Sequence, residues 1–297
     1  MKFFNKFSND AQGILYTIAS CFFASILIAL VRHLSEEFHV LFIVMMRNFF
    51  GLVFFIPQIA KNYQSVLHTK RIKIHIFRGV NGLFSMLFWF SAIAIIPLSE
   101  AVSISFVIPI ITTVLAVIFL KEKTKPHTWS ACLIGFVGIL IILRPGFREF
   151  HPAYFYCFAS VILWTNSNFL IKSMTKTEKP QTIVAYMSFV MLIVSIPLAF
   201  AHLQPINFEA SCYFAALGLV SNLTHICISN AYAKTDLSVV QPFDFTRLIF
   251  TAIISYFAFG EVINSWVICG SLVILSGAIL VMPKHKKKTK TVLAVDS

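Results

Sequence analysis

Residues 98–145 read LSEAVSISFVIPIITTVLAVIFLKEKTKPHTWSACLIGFVGILIILRP, and residues 237–284 read LSVVQPFDFTRLIFTAIISYFAFGEVINSWVICGSLVILSGAILVMPK. The second run is the first one again, 139 positions later and without a gap. Leu98 and Ser99 fall on Leu237 and Ser238, Ile110 on Ile249, Thr112 on Thr251, Leu133 on Leu272 and Gly138 on Gly277. Glu122 and Glu261 each close a long apolar run. Upstream, Gly79 falls on Gly218 and Ala92 on Ala231. Each copy is too long and too apolar for a solenoid unit, so the repeat points to the membrane.

Composition points the same way. The 297 residues are 58% hydrophobic and 12% charged, whereas soluble domains carry about 25% charge. Apolar runs of roughly 20 residues, each long enough for a ~30 Å hydrocarbon core, recur along the chain. They do not alternate as β-barrel strands do. The expected class is an all-α polytopic membrane protein. Ten transmembrane helices are expected, at about 12–31, 40–59, 75–96, 98–120, 127–143, 153–171, 181–201, 211–231, 238–259 and 263–282. The first is followed by many others, so it reads as a span and not a cleaved signal. The expected organisation is a first repeat over 12–143, a second over 152–282 and a basic cytoplasmic tail over 283–297. The 32 phenylalanines suit lipid-facing surfaces. The six cysteines lie within apolar runs without metal-ligand spacing, so neither disulfides nor a metal are expected.

Charge sets the orientation. With the N-terminus inside, the inner segments carry 19 Lys and Arg, Arg78 among them, and the outer segments three: Arg32, Arg144 and Arg148. The positive-inside rule then places both termini in the cytoplasm. The net charge of +12 reflects short inner loops and the tail, not a nucleic-acid partner. Five spans per repeat is an odd number, so the second copy enters the membrane from the opposite side. Two inverted five-helix repeats are the architecture of secondary transporters, with the site between the halves near mid-membrane.

No hydrolase elbow, Walker loop, dinucleotide fingerprint or HExxH is present, so neither an ATP-driven pump nor an enzyme is expected, and no cofactor. The chemistry must lie in polar residues placed where lipid should be. Arg47 sits inside the second span, where a charge must face protein, water or a partner, or else snorkel to an interface. Asp244 and Arg247 lie three apart in the ninth, so they share a helix face and can pair. They form either a structural strut or a substrate or proton site. Gln241 stands beside them, and Pro242 removes a backbone donor. The eighth span aligns Asn222, His225 and Ser229 on one face. His225 is suited either to proton or ion coupling or to an interhelical hydrogen bond. The third aligns Asn81, Ser85 and Trp89, the fourth Ser99, Ser103 and Phe106, and the sixth Ser160, Trp164 and Ser167. Trp89 and Trp164 could wall a cavity; the small hydroxyl residues also serve close helix packing. Substrate-binding or coupling candidates are thus Arg47, Asn81, Trp89, Ser103, Trp164, Asn222, His225, Gln241, Asp244 and Arg247.

With these residues in hand, the chain resembles the drug/metabolite transporter superfamily, EamA type. The likeness rests on Arg47, the Pro97-Leu98-Ser99-Glu100-Ala101 turn, Pro109 and Leu120-Lys121-Glu122-Lys123. In the second half it rests on Pro242 and Phe259-Gly260-Glu261. The resemblance implies ten helices in inverted repeats, a central cavity and alternating access without ATP. The first half is most similar to bacterial S-adenosylmethionine uptake carriers, through His75-Ile76-Phe77-Arg78-Gly79, Ser105-Phe106-Val107-Ile108-Pro109 and Phe119-Leu120-Lys121-Glu122. The segment from Pro242 to Leu248 departs from that pattern. The expected function is inner-membrane transport of a small polar metabolite, with S-adenosylmethionine the named candidate. An amino-acid or drug-like exporter of the same fold is the alternative. A non-transporting or lipid-handling membrane protein is a third reading, though lipid handling needs no buried Asp–Arg pair.

Overall fold

The computed structural model describes residues 8–61, 68–105, 108, 111, 126–144, 151–235, 240, 243–244, 246–261 and 264–281. Its helices are α1 (Asn9–Leu34), α2 (Val40–Val53), α3 (Ile56–Lys61), α4 (Ile72–Ile93), α5 (Leu98–Ser105) and α6 (Pro126–Leu143). They continue as α7 (Ala153–Met174), α8 (Pro180–Ala199), α9 (Phe208–Lys234), α10 (Thr246–Phe259) and α11 (Ser265–Val281). The span expected over 40–59 takes in α2 and part of α3, and each of the other expected spans overlaps one of these helices. Among the described residues, four stretches, 9–34, 72–93, 180–202 and 208–234, are helices long and apolar enough to cross a membrane.

Local chemistry sets the helix ends. The Ser8 hydroxyl accepts from the Ala11 amide at 3.2 Å, and the Asn207 side chain accepts from Ala210 at 2.7 Å; each satisfies one of the first-turn donors left without an intrahelical partner. Pro180 opens α8, where its fixed φ suits the first turn. Gly260, at φ +65°, ends α10 in the left-handed conformation that glycine takes without a Cβ clash.

One expectation is corrected. The span expected over 40–59 is divided at Phe54 and Phe55, between α2 and α3. Within the span expected over 238–259, Val240 is helical, Phe243 and Asp244 form a tighter 3-10 turn, and α10 runs from Thr246. Asp244 thus stands just ahead of α10, and the Thr246 hydroxyl donates to the Phe243 carbonyl at 2.7 Å. Glu122 lies outside the described residues.

The 139-residue shift reappears in the packing. It carries α1 onto α7, α2 onto α8, α4 onto α9 and α6 onto α11. Contacts obey the exchange: α1 packs on α9 and α4 on α7, α2 on α9 and α4 on α8. Two pairs map onto themselves, α2 with α8 and α6 with α11. The correspondence reaches single residues. Gly79 abuts Val190, and Gly218, its counterpart, abuts Gly51, the counterpart of Val190. The Arg32 guanidinium donates to the Ile93 and Ile96 carbonyls at 2.8 and 3.3 Å. The Lys172 ammonium donates to the Tyr232 and Thr235 carbonyls, the counterparts of those two, at 2.9 and 2.7 Å. In both cases a cation caps a helix C-terminus, where the orphan carbonyls and the dipole favour positive charge.

The two ends of the bundle are tied differently. At one end His75 Nε2 lies 2.6 Å from Glu178, whose other oxygen accepts from Thr69, and Arg71 donates to the Ser173 carbonyl at 3.0 Å. At the other end the rings of His39 and His202 stack at 3.6 Å and 8°. Burial and the neighbouring His202 hold the His39 imidazole below its ordinary pKa. Glu261 also ties this end, accepting from the Leu98 amide at 3.2 Å and the Ser255 hydroxyl at 3.1 Å.

Side chains sort as a bilayer requires. Phe77, Phe136, Phe155, Phe189 and Phe257 are more than half exposed, all on the outside of the bundle. Buried among the helices is a large polar set, including Arg47, Asn48, Arg78, Asn168, Asn222 and His225.

Candidate functional site

Several of the buried polar side chains line a cavity among the helices, beside apolar ones such as Leu27, Ile28 and Phe90. Its wall draws Ser20 and Cys21 from α1, Arg47 from α2, Ser85 and Trp89 from α4, and Ser105 from α5. From the second half come Ser160, Trp164 and Asn168 of α7, Met191 of α8, His225 of α9, and Asp244 with Arg247 where α10 begins. The cavity offers about 150 Å³ to the centres of water molecules, room for several waters at once.

Arg247 Nη2 lies 2.6 Å from Asp244 Oδ2 and 3.2 Å from the Ser105 hydroxyl. Asp244 Oδ1 accepts weakly from the Cys21 thiol at 3.5 Å. The pair thus links the start of α10 to α1 and α5. Its members differ in access: the Arg247 side chain is 12% exposed and the Asp244 side chain 38%. The carboxylate therefore keeps an open flank on the cavity. It also stands just before the N-terminus of α10, where the helix dipole favours a negative group. Packing fixes the backbone here, because Ser25 on α1 donates to the Arg247 carbonyl at 3.2 Å and meets Thr251 at 2.9 Å.

Across the cavity, Arg47 is 2% exposed. Its guanidinium donates to Asn48 Oδ1 at 2.8 Å and to the Ser221 hydroxyl, and lies 3.7 Å from Met191 Sδ. Its Nε has no partner, nor has Nδ1 of His225. His225 packs against Trp164 with ring centroids 5.6 Å apart.

The sequence candidates divide accordingly. Arg47, Trp89, Trp164, His225, Asp244 and Arg247 all reach the wall. Asn81 and Asn222 lie outside it and tie helices together. Asn81 donates to the Leu163 carbonyl and the Ser167 hydroxyl, both at 2.8 Å, and Asn222 donates to the Gly51 carbonyl at 2.7 Å. The Ser103 side chain and Gln241 fall outside the described residues. Sequence reasoning passed over Arg78, counted among the cytoplasmic bases. It is 2% exposed inside the bundle and makes one long bond, 3.4 Å, to the Ile183 carbonyl. It also passed over Cys21 and Ser20, which nothing in their apolar surroundings distinguishes.

The chain can now be set beside known proteins. The model of the EamA-like transporter family matches it twice, over residues 11–144 and 151–282. An S-adenosylmethionine uptake transporter of Rickettsia prowazekii (strain Madrid E) is 26% identical over 94% of this chain and 97% of that protein. A riboflavin transporter of Rhizobium johnstonii is 26% identical over 81% of this chain and 80% of that protein. A solved crystal structure superposes with a TM-score of 0.67 at 15% identity, covering 91% of this chain and 96% of that one; it shares the fold. A doubled match over most of the length, on a bundle of apolar helices enclosing a cavity lined by apolar and polar side chains, settles the assignment: the chain belongs to the EamA-like transporter family.

Proposed function

We propose that the chain is an ATP-independent carrier of the bacterial inner membrane that takes up S-adenosylmethionine. Ten spans in two inverted five-helix halves, residues 12–143 and 152–282, expose one cavity alternately to either side, and residues 283–297 form a basic cytoplasmic tail. The exchange of helix contacts under the 139-residue shift supports this arrangement, since a two-fold relation swaps each inter-half pair in that way. The observation that carries the cargo assignment is the cavity wall. It combines a half-open carboxylate, Asp244, with the indoles of Trp89 and Trp164. S-adenosylmethionine brings a sulfonium and an ammonium for the carboxylate and a planar adenine for the indoles. Cations also bind aromatic faces directly. Riboflavin, the cargo named for other relatives, would use the indoles as well but has no cation for Asp244.

The test is uptake of labelled compound by proteoliposomes. Saturable entry of S-adenosylmethionine without ATP, displaced by excess unlabelled S-adenosylmethionine and not by riboflavin, is the expected result. Riboflavin uptake with no S-adenosylmethionine entry overturns the cargo assignment. Topology is checked separately by reporter fusions after Lys6 and Lys290. Both are expected to read cytoplasmic, given 19 inner bases against three outer ones. A periplasmic reading at either end refutes the arrangement.

A further inference from the structure

Among the described residues, the cavity wall carries Arg47 and Arg247 against one carboxylate, Asp244. Arg47 and Arg78 are each 2% exposed, and neither has an acid partner among the described residues. Their acceptors are all neutral: Asn48, Ser221 and Met191 for Arg47, a backbone carbonyl for Arg78. Carboxylates elsewhere in the bundle have other partners: Asp244 pairs with Arg247 and Glu178 with His75, Glu100 accepts from Tyr154, and Glu261 accepts from Leu98 and Ser255. Each guanidinium keeps an unpartnered Nε. His225, beside them, lines the cavity with Nδ1 free.

Desolvated charges without counter-charge are costly, and proteins compensate them by pairing. A bidentate donor such as guanidinium is matched by a carboxylate. Of the two, Arg47 reaches the cavity; Arg78 stands one turn before Gly82 of α4, which lines the cavity and abuts Met191, the neighbour of Arg47.

We infer that Arg47, backed by Arg78 and His225, forms a buried anion site that takes a carboxylate of the transported molecule. Arg47 makes the contact, and Arg78 acts as a positioning residue that strengthens the local field. The cavity is then bipolar. The cargo lies with its carboxylate toward α2 and its cationic groups toward Asp244. This selects zwitterionic amino-acid derivatives over simple cations of the same size. The named cargo rests on the function proposed above; the anion site does not.

The experiment uses the full chain in lipid nanodiscs. Binding of S-adenosylmethionine is compared with that of its decarboxylated analogue, which keeps both cations and the adenine. Thermal stability is measured in sodium acetate and in sodium chloride at equal ionic strength. Wild type is expected to prefer S-adenosylmethionine by about tenfold or more, the scale of one charge-assisted pair. Arg47→Gln should bring the two ligands within about twofold, the residue of that same lost pair. Arg78→Gln should reduce the preference part of the way, an effect that a purely structural arginine would not have. Acetate should stabilise wild type more than chloride does, and Arg47→Gln should abolish the difference. Arg47→Lys keeps the charge if Arg47→Gln does not fold, and should retain part of the preference. Equal binding of the two adenosyl ligands overturns the anion site while leaving the cargo assignment standing. Binding of neither, with Arg47-dependent stabilisation by acetate, rejects the cargo and supports the site. Equal stabilisation by chloride means a free inorganic anion occupies it, and overturns the carboxylate assignment.

Discussion

Asp244→Asn together with Arg247→Gln is expected to give a protein that folds and inserts but does not transport. Asp244→Asn keeps the side chain's shape, Arg247→Gln leaves a shorter amide that can still hydrogen-bond, and together they remove both charges. No orphan charge is left, so the desolvation cost of a broken pair does not arise. Removing one partner alone differs. Asp244→Asn strands the Arg247 guanidinium, which is 12% exposed and retains only the Ser105 hydroxyl among the bonds of that Nη2. Fully buried pairs lose about 3–5 kcal/mol when broken in this way; the cost here is smaller because Asp244 still faces the cavity. If the pair is a strut and nothing more, the double variant transports normally. If Asp244 meets the cationic end of the cargo, uptake falls at least about tenfold, equivalent to ~1.4 kcal/mol, while melting in detergent changes little. The second outcome is expected, because a strut has no need of an open flank. Uptake normalised to detergent-stable protein decides between them, and near-normal transport by the double variant removes Asp244 from the site.

Gly218→Val is expected to be the most damaging single substitution at a helix contact. A Cβ at Gly218 would meet the Gly51 nitrogen at 2.7 Å and the Phe50 carbonyl carbon and Cβ at 2.8 Å. Two of these are backbone atoms of α2, so no rotamer change relieves the clash, and α2 and α9 must separate. Overpacking of a close contact typically costs about 1–3 kcal/mol, and valine adds two methyls to the Cβ that already does not fit. The same separation pulls Asn222 from the Gly51 carbonyl, a 2.7 Å bond inside the bundle. Gly82→Ala is the control. Its Cβ would meet only the terminal methyl of Met191, the end of a flexible side chain that can swing aside. Melting curves in detergent should show a large drop for Gly218→Val and a small one for Gly82→Ala. Equal melting of the two refutes a backbone-limited contact at Gly218.

Much of the architecture is legible in the chain. Length and apolarity of the runs fix the helical membrane class, because unsatisfied backbone cannot cross hydrocarbon. The 139-residue register announces the doubled match and anticipates which helices exchange partners. Ser8, Asn207 and Pro180 mark helix starts through their own capping chemistry. The spacing of Asp244 and Arg247 anticipates their ion pair. The span expected over 40–59 was wrong in continuity: an apolar run does not reveal the turn at Phe54 and Phe55.

Which polar residues form the cavity was decided only by the tertiary structure. Asn81 and Trp89 share a stripe on α4, and Asn222 and His225 share one on α9. In each stripe the asparagine braces a neighbouring helix and the aromatic ring reaches the cavity. Arg78 looked like a cytoplasmic base because it stands a few residues inside an apolar run that begins among lysines; helix packing buries it within the bundle. In water, an apolar stripe on a polar helix reveals which face turns inward. In lipid the outward face is as apolar as the packed core, so that contrast is lost. A polar residue in such a helix announces only that it must find a partner, and the neighbouring helices determine which one it finds.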